Sequence, residues 1–188
     1  MPNELKPEEV EFLFDLQDEG EQVETAPRAV TFKRLFDYAN RSPSAPLDFE
    51  IERKLRENGR LFRSYTSLLS DQAIAFCEMA AAASSDDYPL RQLGFYCLSV
   101  VEDGGDYFIE ISFDDADGDL VVKDAASNPQ VIEFCSDDGL ILMYELGPVV
   151  KGVRMIILDA ENEKDQQLLD LLKSPSLGIF LKSGHDED

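Results

Sequence analysis

The chain has 188 residues, 44% of them apolar, and a formal net charge of -22. That apolar share can bury a core, but so large a negative charge argues against partners such as a nucleic-acid backbone or an anionic membrane, which are held by Lys and Arg. Cys77, Cys97 and Cys135 are odd in number and far apart, with neither disulfide-framework nor metal-ligand spacing, so a reducing cytoplasm is the expected location.

Residues 1–27 carry nine acids against one lysine, net -8, and are read as an acidic N-terminal arm. Within it, "EEVEFLFDL" sets Val10, Phe12, Leu13, Phe14 and Leu16 among carboxylates. Three consecutive apolar residues do not alternate as a half-buried strand does, whereas on a helix Val10, Leu13 and Phe14 share a face. Acidic segments with interspersed large apolar residues tend to order on meeting a partner. Phe12, Leu13, Phe14 and Leu16 are therefore candidate partner-binding residues, docking on the chain's own helices or on another protein. The opening "MPNELKPEEV" has no basic start or apolar signal stretch, and no window reaches the roughly 20 apolar residues of a spanning helix, so no membrane partner is expected.

Residues 28–85 read as a helical module, and 28–83 hold nine bases against seven acids, net +2. "TFKRLFDYA" has Thr31 as N-cap and places Phe32, Leu35, Phe36 and Ala39 on one face, until "NRSPSAP" breaks the helix. "LDFEIERKLREN" spaces Leu47, Ile51 and Leu55 four apart and ends at Asn58-Gly59, a pair suited to a left-handed C-cap. A third helix is expected from about Arg60 to Ala83, carrying Leu61, Phe62, Tyr65, Leu68, Leu69, Phe76 and Met79. Arg53, Arg56, Arg60 and Arg63, spaced three, four and three apart, read either as a solvated stripe or as a surface for an acidic partner.

From residue 90 to 183 the period becomes two, and net charge over 84–188 falls to -16, with 23 acids against seven bases. Strands are expected near 92–101, 106–113, 119–123, 130–135, 139–146, 153–159 and 177–182. Asp103-Gly104, Asp117-Gly118, Asp138-Gly139, Gly147-Pro148 and Lys151-Gly152 mark turns between them. One short helix, capped by Asn162, is expected to turn Leu168, Leu169, Leu171 and Leu172 inward. The expected core is Tyr107, Ile109, Ile111, Phe113, Ile132, Phe134, Leu140, Leu142, Ile156 and Leu158. The fold class is thus α+β, a helical module followed by a mainly antiparallel β domain, either a sandwich or a partly open barrel. Residues 184–188 are expected to form a disordered tail.

Catalytic signals are absent from the sequence. The single histidine, His185, lies in "SGHDED", and there is no G-x-S-x-G elbow, Walker loop or Rossmann glycine pattern. The acidic run Asp114–Asp119 does not fit an EF-hand register, because with Gly118 at position six, position one falls on Phe113 and the closing glutamate on Asp124. No catalytic residue, cofactor or metal is expected.

"LFDYANRSPSAPLDFEIERKLRENGRLFRSYTSLL", Leu35 to Leu69, resembles the helical N-terminal module of zinc-type anti-sigma factors. The family's H-x3-C-x2-C ligands fall on Lys54, Asn58 and Leu61, none of which can bind zinc as that site requires, so helical packing alone has to hold the module. The resemblance implies a bacterial regulatory protein. The expectation is a non-enzymatic regulatory or adaptor protein that acts by binding another protein, the alternatives being a small-ligand or carbohydrate-binding β domain and an acidic mimic of nucleic acid.

Overall fold

The computed structural model describes residues 29–77, 88–113, 129–174 and 176–184. Phe12, Leu13, Phe14, Leu16, the Asp114–Asp119 run, the expected strand at 119–123 and His185 all lie outside them. Among the described residues, eight strands form two antiparallel four-stranded sheets. The first has the order β1 (Ala75–Cys77), β8 (Gly178–Lys182), β5 (Val131–Cys135), β6 (Ile141–Glu145), and the second has the order β2 (Arg91–Leu93), β3 (Tyr96–Asp103), β4 (Asp106–Phe113), β7 (Val153–Leu158). The sheets make an antiparallel sandwich, not a closed barrel, so the α+β class with a mainly antiparallel β half is observed.

Alternation places the sandwich core. In β4, Ile109 and Ile111 face inward while Phe108 and Glu110 face out, and β7 sends Ile156 and Leu158 to meet them. From the first sheet come Ile132, Phe134, Leu142, Ile179 and Leu181. Tyr107 and Leu140, both expected in this core, are only partly buried against it, and the side chain of Phe113 is not among those described. The helix α4 (Glu163–Leu172) starts at Asn162, whose side chain accepts from the N–H groups of Lys164 and Asp165, and it adds Leu168, Leu169 and Leu172 to the same core.

Three helices, α1 (Phe32–Ala39), α2 (Phe49–Glu57) and α3 (Gly59–Gln72), cover the outer face of the first sheet. Their cluster of Leu35, Tyr38, Ala39, Ile51, Leu55, Leu61, Tyr65 and Leu69 closes on Phe180, Cys135 and Ile141 of the strands. The first sheet is therefore buried on both faces, and the helical layer completes its core only with strand side chains.

Three expectations for the helices are corrected. In α1 the buried side is Leu35, Tyr38 and Ala39, so Phe32 and Phe36 point to solvent. Asn58 is extended, not left-handed: it ends α2 and at the same time caps α3, accepting from the N–H groups of Arg60 and Leu61. The third helix stops at Gln72, not Ala83, because Ile74 donates to the Leu181 carbonyl at 2.7 Å and residues 75–77 pair with β8, where Phe76 stacks on Phe180. The expected strand at 92–101 is likewise two strands, joined by a tight hairpin at Gly94-Phe95.

The β5–β6 hairpin meets α2 at Gly139. Its φ is +80°, and a Cβ there would lie 2.9 Å from the Arg56 Cα. Gly139→Ala is therefore expected to destabilise the protein by about 1–3 kcal/mol, through backbone strain and a clash with main chain that cannot swing aside. Urea unfolding measures it, and a variant as stable as the parent would show that the hairpin is not seated on the helix.

Candidate functional site

In β5, Ile132 and Phe134 face the sandwich, so Val131, Glu133 and Cys135 face the helices; β8 likewise turns Phe180 and Lys182 toward the helices. Glu133 opposes Phe180 in the ladder, which sets it diagonally beside Lys182 on the same face. Glu133 is fully buried, with Lys182 Nζ 2.6 Å from its Oε2 and the Tyr65 hydroxyl donating to its Oε1. Arg41 Nη1 lies 3.8 Å from the same carboxylate and donates to the Tyr65 hydroxyl at 3.0 Å and to the Tyr38 carbonyl at 2.8 Å. The Arg41 guanidinium sits 3.7 Å over the Tyr38 ring. Lys182 also donates to the Ala39 carbonyl at 2.9 Å, one of the carbonyls that the last turn of α1 leaves without a helical partner.

Burial, and next the charge of Glu133, hold the Tyr65 hydroxyl well above its ordinary range, so it stays protonated and donates. The same two causes push the Cys135 thiol up, which makes it an inert thiol of the interior.

Ala39, Arg41 and Lys182 of this network also line a cavity of about 620 Å³. Its walls are the loop after α1 (Asn40 to Ser44), Gln72 at the end of α3, and the strand ends at Gln130–Val131, Glu145–Leu146 and Lys182–Gly184. Arg154, on the inward side of β7, completes them: its Nη1 donates to the carbonyls of Leu146 and Gly147. Burial lowers the Arg154 pKa from its ordinary value.

The solvent side of the helical layer has a different character. Phe32 and Phe36 lie with ring centres 6.3 Å apart, and Leu47 and Phe49 are exposed beside the turn into α2, Phe49 at 76%. Arg34 holds α1 to this turn through Asp48 at 2.7 Å and Glu50 at 2.8 Å. Helical spacing puts Phe49, Arg53 and Arg56 on one face of α2. All four arginines expected at a partner surface, Arg53, Arg56, Arg60 and Arg63, are exposed, but they fall on two helices, divided at Asn58. Arg53 pairs with Glu57 at 3.0 Å. Asp138, held below the usual carboxylate range first by its Ser136 hydrogen bond, also feels Arg56.

Arg41, Glu133, Arg154 and Lys182 were not expected at a site, and Tyr65 was expected only as an apolar residue of the third helix. The signal was the pair "VIEFC" and "GIFLK", apolar on both strand faces with one charge of opposite sign in each, which is the pattern of strands covered on both sides. Among the described residues no group of three or more His, Cys, Asp or Glu is placed to hold a metal ion. No described helix is long and apolar enough to cross a membrane. Comparison of the chain with models of protein families, with curated proteins and with solved structures found no match.

Proposed function

We propose that this is a non-enzymatic adaptor or regulatory protein that binds another protein through the solvent face of its helical layer. The observation that carries the reading is the set of exposed large apolar side chains Phe32, Phe36, Leu47 and Phe49, bordered by arginines in a chain of net charge -22. Exposed aromatic side chains clustered beside arginine are the composition that protein interfaces favour. The partner's chemistry follows from complementarity: large apolar side chains among acids, the pattern that this chain itself carries at Phe12, Leu13, Phe14 and Leu16. The arm can then act as a competitor that covers the same face until a partner displaces it. The resemblance of Leu35 to Leu69 to the anti-sigma module agrees with a regulatory role without zinc.

The test is a pull-down from the native host followed by titration of the purified partner. Phe36→Ser with Phe49→Ser is expected to weaken binding by about tenfold or more at an unchanged melting temperature. Deleting residues 1–27 is expected to tighten it if the arm competes. Equal affinity for the parent and the double-serine variant would overturn the reading.

A further inference from the structure

We propose that the cavity beside the buried Glu133–Lys182 pair binds a small organic anion, a phosphate or carboxylate head on a polar body of sugar size. Its volume, about 620 Å³, lies within the roughly 300–1,000 Å³ typical of small-molecule sites. The charge of its walls runs against that of the chain. Arg41, Arg154 and Lys182 converge there in a protein of net charge -22, while the one carboxylate in the lining, Glu145, is exposed. Glu133 neutralises one of these cations from behind the wall and leaves the cavity positive.

The cations are held by the protein and do not wait for a ligand to order them. Every hydrogen bond of Arg41 to a described residue runs through Nη1, and the Tyr38 ring supports the guanidinium from one side. Nε and Nη2 are left as a two-pronged donor of the kind that grips a phosphate or carboxylate. Lys182 commits two of its three N–H groups, to Ala39 and Glu133, and has one left. Such pre-ordering lowers the entropy cost of binding. Elsewhere in the lining, Gln72 and Gln130 offer amides to a polar body, and the Gln72 Oε1 is buried with no hydrogen-bond partner, a cost that a ligand hydroxyl would relieve.

The experiment is calorimetric titration of the full chain with three probes of similar size: glucose 6-phosphate, gluconate and neutral glucose. Saturable binding of at least one anion, with none of glucose, is expected. Binding of glucose 6-phosphate alone assigns the head as phosphate, and binding of gluconate alone assigns it as carboxylate. Arg41→Met is expected to weaken the bound anion by about tenfold or more. Because Arg41 also braces the buried network, a second variant decides the location: Ser44→Glu, at an exposed position of the cavity wall, adds a repelling charge without touching Glu133 and should weaken binding by about tenfold. No binding of either anion, binding of glucose as tight as theirs, or unchanged affinity in Ser44→Glu would overturn the proposal.

Discussion

Replacing Lys182 with Met is expected to destabilise the fold by about 3–5 kcal/mol, because it leaves a carboxylate uncompensated in the interior. Glu133 has no exposed surface, and the Lys182 ammonium at 2.6 Å is its nearest cation; Arg41 remains, but at 3.8 Å. If the loss reflects a stranded charge rather than lost packing, removing the other charge should restore much of it. The double variant Glu133→Leu with Lys182→Met is therefore expected to be more stable than Lys182→Met alone. Recovery stays incomplete by about 1–3 kcal/mol, since the Tyr65 hydroxyl loses its acceptor and the Ala39 carbonyl loses its donor. Urea unfolding of the two variants beside the parent measures both differences. A Lys182→Met protein within about 1 kcal/mol of the parent would show that water reaches Glu133.

Residues 88–188 expressed alone are expected not to fold cooperatively. The sequence, with its change of period near residue 90, suggests two halves with separate cores, and the sandwich core does lie between the two sheets. The other face of the first sheet is the difficulty. Cutting at residue 88 removes β1 from the edge of β8 and the helices from above Cys135, Ile141 and Phe180. It also takes away Tyr65, Arg41 and the Ala39 carbonyl, so Glu133 and Lys182 face solvent on a bare apolar sheet. Such a surface favours association over a unique fold. Circular dichroism on heating and the dispersion of amide proton shifts test the fragment. A sharp transition with dispersed shifts would establish the sandwich as autonomous.

How far each part could be read from the sequence depended on what covers it. β4 and α4 were legible because each buries one side only, so the alternation of Tyr107 to Phe113 and the Asn162 cap give the local answer. β5 and β8 were legible as strands, and their apolar residues on both faces signal cover on both sides, but nothing local in "VIEFC" says that the cover over Glu133 comes from helices more than 60 residues earlier. The end of α3 was hidden by the alanine run after it, whose helix propensity extends the pattern past the point where pairing with β8 takes over. The Gly94-Phe95 hairpin was hidden inside a continuous apolar run. The four arginines were visible by their spacing and are exposed, but the break at Asn58 divides them between two helices, whereas the cavity draws its lining from several distant stretches of chain and has no sequence signature of its own.

The position of β8 bears on the order in which this protein can assemble during synthesis. β8 follows every other described element in the chain, yet it lies inside the first sheet, between β1 and β5, and Lys182 bonds to the Ala39 carbonyl across 143 residues. The ribosome releases the helices well before the strand that carries Phe180 and Lys182. Until β8 emerges, β1 has no pairing strand among the described elements, and Leu35, Tyr65 and Leu69 have no Phe180 to close on. Closing contacts this far apart in the chain is slow, so the nascent helices stay open to association with other chains until β8 has emerged.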